Sequence, residues 1–156
     1  VLDRGRDRSR RFATRGLANF GAVLRSVRIA ARGLGGEAAA FVCGGRSLAQ
    51  QVATFSEADL AVGVDGGCVA NALWMQPGAT VVSLVPVRED YFPMPVSVCG
   101  TFPGWRIGDS VGVHTVALLL PRAGFKDPAV TVDMATLRGV LESWAARWRA
   151  DPRRKK

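Results

Sequence analysis

The sequence predicts an α/β fold: a parallel sheet covered by helices on both faces. Three observations point there. Short apolar runs recur at 38–43, 60–64, 80–85 and 113–120, each too brief for a helix, and 80–85 is rich in β-branched residues. Amphipathic stretches at helical spacing separate them. Glycine and proline mark most of the junctions. Strands alternating with helices in this way read as βαβ units, whose strands are parallel and buried.

The elements follow in chain order. Residues 1–16 are Arg-rich and irregular. Asn19 stands where a helix cap belongs. Phe20, Val23, Leu24 and Val27 then repeat at i, i+3, i+4, i+7, predicting a helix that ends near Arg32, where Gly33, Gly35 and Gly36 stop it. Residues 38–43 read as a buried strand. Ser47 and Gln50 fit a capping box, so a helix follows with Leu48, Val52 and Phe55 on one face. The strand at 60–64 runs directly into Asp65-Gly66-Gly67, and a helix is predicted over 69–75, ended by Gln76-Pro77-Gly78. A strand at 80–85 precedes a long loop over 86–112, which holds Pro86, Pro93, Pro95 and Pro103 and room for one short strand at 96–99. After the strand at 113–120 comes the clearest element, a helix on which Met134, Leu137, Leu141, Trp144 and Trp148 form one stripe. That stripe reads as a packing face rather than a ligand box.

The chain has 156 residues, enough for one core, and a net charge of +8. The charge is confined to the ends. Residues 1–32 carry nine Arg against Asp3 and Asp7, and residues 147–156 carry six basic residues against Asp151, whereas the body over 33–146 is net acidic. A nucleic-acid partner is therefore a minor reading: the tail has no interleaved aromatics and the body repels phosphate. The expected division is one domain over 1–150, with 1–9 irregular, and a solvated basic tail over 151–156. No apolar run approaches a membrane span and no signal peptide is visible. The chain opens at Val1 rather than Met, as expected of a piece of a longer protein. Cys43, Cys68 and Cys99 show no zinc spacing and no disulfide framework, so they are expected as thiols. No metal-ligand cluster is seen.

The chemistry concentrates in the strand–turn–helix unit at 60–75. Ligands of α/β sheets bind at the carboxyl ends of strands. Backbone N–H groups at a helix start favour anions, and Gly66 and Gly67 let a phosphate or sugar come close. As a bare pattern this is common and unspecific.

The residues around it resemble a known family. Residues 56–82 read Ser-Glu-Ala-Asp-Leu-Ala-Val-Gly-Val-Asp-Gly-Gly-Cys-Val-Ala-Asn-Ala-Leu-Trp-Met-Gln-Pro-Gly-Ala-Thr-Val-Val. This is similar to the family 61 glycosyltransferases, in which a strand leads into His-Gly-Ala-Gly-Leu-Thr/Ala-Asn, then an aromatic-Met/Leu-Pro-Pro-Gly-Ala segment and a Val-rich strand. Ser47 to Phe55, with Gln50 and Gln51, looks like the family's Ser-x-x-Glu-Gln-x-x-x-Phe helix. Ser9-Arg10, Arg15, Leu17 and Asn19 look like its Ser-Arg-x-x-x-x-Arg-x-Ile-x-Asn block, and 130–141 like its closing strand and helix.

The resemblance implies a Rossmann-like domain, the C-terminal lobe of a two-lobe, GT-B type glycosyltransferase. Such an enzyme binds a UDP-sugar and transfers a pentose or N-acetylglucosamine, with inversion, to a glycan or glycoprotein in the Golgi or endoplasmic reticulum lumen. An N-terminal lobe of the same longer chain would complete it. No cofactor is implied beyond the UDP-sugar donor. The donor-binding residues it implies are Arg10, Arg15, Asn19, Asp65, Gly66, Gly67, Cys68 and Asn71. Arg forks and backbone amides suit the charge that grows on a departing diphosphate. The competing readings are a solvated basic arm for Arg10 and Arg15, a helix cap for Asn19 and a structural role for Asn71.

The sequence departs from the family in places. Asp65 stands for the family's His and Cys68 for its second Gly. An ionised Asp cannot donate a hydrogen bond, so Asp65 either takes a sugar hydroxyl or marks a lost activity, leaving a non-catalytic binding lobe. Residues 2–7 are poor strand material where the family has its first strand. No catalytic set is visible. His114 reads as structural, Glu89, Asp90 and Asp109 as solvated loop acids, and the general base belongs on the absent lobe.

Overall fold

The computed structural model describes residues 2–3, 16–88, 110–122 and 129–152. Their elements are β1 (Leu2–Asp3), β2 (Gly16–Leu17), α1 (Phe20–Arg32), β3 (Phe41–Val42), α2 (Leu48–Ser56), β4 (Leu60–Val64), a 3-10 helix (Val69–Trp74), β5 (Thr80–Arg88), β6 (His114–Arg122), β7 (Ala129–Val130) and α3 (Met134–Ala150). The expected strand at 96–99 lies outside the described residues.

The sheet is parallel throughout, in the order β3-β1-β4-β5-β6. β4, β5 and β6 form its body. β1 and β3 add two residues each, with Leu2 opposite both Phe41 and Gly63. This corrects the expected irregularity of 1–9 at Leu2–Asp3; residues 1 and 4–9 lie outside the described residues. Leu2–Asp3 is poor strand sequence, but two residues suffice when neighbours on both sides supply the ladder, and tertiary pairing overrides propensity. A second, two-stranded parallel pairing joins β2 to β7.

Alternation along the strands sorts the core into two layers. Val62, Val64, Val82 and Leu84 face α1 and α3, meeting Val23, Val27, Leu137 and Leu141. Ala61 and Val81 face the other way, toward Phe55 of α2 and Val69, Ala72 and Met75 around the 3-10 helix. Strands buried on both faces explain the unbroken apolar runs in the sequence.

The helix signals are realised in detail. Ser47 and Gln50 form a complete capping box at α2. Gly35, at φ +76°, closes α1: its N–H donates to Arg32 O at 3.0 Å and that of Gly36 to Ala31 O at 2.9 Å, a Schellman ending that needs glycine at the left-handed position. The stripe on α2 holds only in part, since Phe55 is buried while Leu48, at the first helical position, is exposed.

Four boundaries differ from expectation, the simplest being the last long strand, expected over 113–120 and found at His114–Arg122. Only Phe41–Val42 of 38–43 is strand, because its partner β1 is two residues long. The helix predicted over 69–75 is a 3-10 helix; the N–H groups of Asn71 and Met75 each reach back three residues, to Cys68 O and Ala72 O, and the segment is short and stopped by Pro77. β5 runs on through Pro86. Thr80 N–H donates to Asp59 O and Leu84 O accepts from Asp65 N–H, so the even-numbered residues of β5 address β4. β4 pairs no further than Leu84, and the missing N–H of Pro86 therefore falls past its end, where it leaves no ladder bond unmade.

Candidate functional site

Counted by first appearance in the main sheet, the strand order is 2-1-3-4-5, with β1 and β4 side by side at the point where the winding reverses. The crevice at the carboxyl ends of that pair is where doubly wound sheets bind their ligands. One candidate segment leaves the sheet there: the chain runs from Val64 into Asp65-Gly66-Gly67-Cys68. Arg10 and Arg15 lie outside the described residues, as do Glu89, Asp90 and Asp109.

The turn after β4 is built from below. Asp65 N–H donates to Leu84 O at 2.8 Å, and the Ser83 hydroxyl donates to Asp65 Oδ1 at 3.0 Å. Both side chains are buried, at 7% and 3% exposure. The Asp65 carboxylate therefore lies under the turn instead of projecting from its tip. Gly66 takes φ +150°, a conformation that side chains disfavour. Its carbonyl accepts from Val69 N–H and Ala70 N–H. Among the described residues, no protein acceptor meets the N–H groups of Gly66, Gly67 or Cys68. Those three amides, not the dipole of a six-residue 3-10 helix, are what the turn offers an anion.

Cys68 is not a thiol. It is disulfide-bonded to Cys43, with the Cα atoms 5.8 Å apart. The separation of 25 residues hides the pairing in the sequence, but Cys43 follows β3 and Cys68 follows β4, and the sheet brings those two carboxyl ends to either side of β1. The expectation of free thiols is corrected for these two cysteines; Cys99 is outside the described residues.

Beside the disulfide, Asn71 Nδ2 donates to Gln51 Oε1 at 2.7 Å and approaches Cys43 Sγ at 3.5 Å. Gln51 Nε2 in turn donates to Arg46 O at 3.1 Å and lies 3.4 Å from Cys43 O. The Arg46 guanidinium sits 5.9 Å over the Phe41 ring, whose edge meets Phe55. Gln51, which the sequence reading placed in the Ser47–Phe55 block without assigning it to the site, is thus the partner of Asn71.

Asn19 stands at the N-cap of α1, yet its side chain makes no cap bond. Its Nδ2 donates to Val132 O at 2.8 Å and its Oδ1 accepts from Val132 N–H at 3.1 Å. It ties the start of α1 to the segment joining β7 and α3. His114 opens β6 at the amino end of the strand, so it is not with the turn. A cleft of about 390 Å³, lined by Phe41, Phe55, Leu60, Trp144 and Trp148 among others, also opens at the amino ends, away from the turn. Among the described residues no group of three or more His, Cys, Asp and Glu could hold a metal ion, and no helix is long and apolar enough to cross a membrane.

No curated protein matches this chain. The family comparison does: the match covers residues 2–82, from β1 through the turn and into β5, more than half of the sequence. Its extent takes in the Ser47–Phe55 helix, the Asp65–Cys68 turn and the Asn71–Gln51 contact, and on that match the chain belongs to the glycosyltransferase 61 family.

Proposed function

We propose that this domain is the nucleotide-sugar-binding lobe of an inverting, GT-B type glycosyltransferase that moves a pentose or N-acetylglucosamine from a UDP-sugar to a glycan or glycoprotein. The observation that carries the reading is the turn after β4, whose three amides meet no protein acceptor among the described residues, at the switch point of a doubly wound sheet. A diphosphate leaving group gains negative charge as the glycosidic bond breaks, and preorganised amides and Arg forks stabilise that charge. In this reading Gly66, Gly67 and Cys68 supply amides and Arg10 and Arg15 supply forks. Asp65, Asn19 and Asn71 hold the surrounding backbone in place. The acceptor and its general base belong to a second, N-terminal lobe of a longer chain. A disulfide is at home in an oxidising compartment, which supports the Golgi or endoplasmic reticulum lumen as the site of action.

The test is the melting temperature of the full-length protein with UDP and with UDP-sugars. A rise on adding UDP that Arg15→Ala abolishes is the expected result. No rise with any of them overturns the reading. The buried Asp65–Ser83 pair, standing where the family has a histidine, favours one second reading, a lobe that binds the donor without catalysis. UDP-induced stabilisation without transfer or hydrolysis of any UDP-sugar would select it.

A further inference from the structure

We propose that the Cys43–Cys68 disulfide is a positioning element for the donor: it fixes the Gly66–Cys68 amides in anion-binding geometry, and its reduction releases them. The inference rests on the nucleotide-sugar reading above.

The turn has few anchors of its own. Asp65 is held beneath it by Ser83 and by the backbone of Leu84. Beyond Asp65 the next two residues are glycines, and a side chain at Gly67 would meet nothing within 4 Å. Among the described residues no side chain therefore packs where a Cβ at Gly67 would point. The 3-10 helix that follows is short and ties back to the turn only at the Gly66 carbonyl, which accepts from Val69 N–H at 2.9 Å and Ala70 N–H at 3.2 Å. Among the described residues, the next side-chain tether after Asp65 is the Cys68 sulfur. It joins the turn to the loop after β3, across the carboxyl end of β1. The loops after β3 and β4, on either side of β1, are thus one covalent unit, and the β4 turn at the edge of the donor crevice is part of it.

The sulfurs are open to change without loss of the fold. Cys43 and Cys68 are both half-buried, not sealed in the core. The Asn71–Gln51–Arg46 hydrogen bonds beside them do not depend on the S–S bond, nor do the β4–β5 ladder and the packing of Phe55, Val69 and Val81. Reduction by a dithiol transfers two electrons: the S–S bond breaks, each sulfur takes up a proton, and the reductant becomes its own disulfide. What then loosens is the stretch between Asp65 and Val69, which carries the amides. A donor diphosphate would have to order that stretch as it binds, and affinity falls by the cost of doing so.

The experiment uses the full chain, with UDP as the probe, in three forms: oxidised, reduced with dithiothreitol, and Cys43→Ser/Cys68→Ser. UDP affinity is measured by titration calorimetry well below the melting temperature of each form, and amide hydrogen exchange is followed at 66–69, with β5 and α3 as internal controls. Reduction and the double substitution are expected to weaken UDP about tenfold, the scale of ordering a short loop on binding. Exchange at 66–69 quickens while β5 and α3 stay protected, and reoxidation restores both readouts. Equal affinity in the oxidised and reduced forms overturns the proposal, whether or not exchange changes. If no form binds UDP, the nucleotide-sugar reading has failed. The exchange data then still decide the structural half: equal rates at 66–69 show that the disulfide does not order the turn.

Discussion

Asn71 donates a 2.7 Å hydrogen bond to Gln51, joining the 3-10 helix after β4 to the middle of α2. The two residues are 20 apart in sequence, and each belongs to a different block of the family pattern. Gln51 also donates to the backbone after β3, so the pair holds two loops at one end of the sheet. Asn71 is 9% exposed, and truncating it leaves the Gln51 carbonyl short of a partner. Asn71→Ala should destabilise the domain by about 1–3 kcal/mol, the usual cost of an unpaired buried polar group. In a double-mutant cycle by urea denaturation, Asn71→Ala and Gln51→Ala should couple by about 1 kcal/mol. Strict additivity would mean that the bond is incidental.

The Asp65–Ser83 pair gives a second prediction. Ser83 donates to Oδ1 with both groups buried, so position 65 must supply an acceptor. Asparagine does, through its side-chain carbonyl. Asp65→Asn should stay close to wild type in its urea midpoint, while Asp65→Ala loses about 1–3 kcal/mol by stranding the Ser83 hydroxyl. Asp65→His, the family residue, should destabilise as well, because an imidazole overfills a space shaped for a carboxylate. An Asp65→Ala variant as stable as Asp65→Asn would show that Ser83 needs no partner there.

How far the sequence carried depends on the range of the interactions. The capping box at Ser47, the glycine stop after Arg32 and the stripe from Leu137 to Trp144 involve residues a few positions apart, and all are present in the structure. The turn at Gly66 was legible for the same reason. What escaped depends on sheet order. Leu2–Asp3 is a strand only because β3 and β4 flank it, and Cys43 meets Cys68 only because the same three strands lie together. The burial of Asp65 depends on Ser83, 18 residues away on the next strand. A polar residue between a valine and a glycine reads as a tip until the neighbouring strand is known.

Asn19 separates a cap from a brace. As a plain N-cap it could be replaced by Asp, which caps equally well. The structure instead has its amide both donating to Val132 O and accepting from Val132 N–H. A carboxylate can accept from that N–H but would face the carbonyl oxygen as a repulsive neighbour. Asn19→Asp and Asn19→Ala should therefore both destabilise, by about 1 kcal/mol, the scale of a lost part-buried hydrogen bond. Full stability of Asn19→Asp in urea denaturation would return Asn19 to the role of a cap.

Asp133 caps α3, and here the prediction concerns pH. Its carboxylate accepts first from the Thr136 hydroxyl and then from the Thr136 N–H, at 2.8 Å, and these bonds hold its pKa below the ordinary value of 3.8. A folded-state pKa below the unfolded one means that the group stabilises the fold above pH 3.8 and loses that contribution as pH falls through its folded pKa. The side chain is fully exposed, so the effect is modest and screened by salt. Asp133→Asn keeps a good cap without the titration. Urea midpoints measured from neutral pH downward at low ionic strength should show wild type above Asp133→Asn near neutrality and the gap closing below pH 3.8. A gap that stays constant to the lowest pH would place the acid dependence of α3 elsewhere.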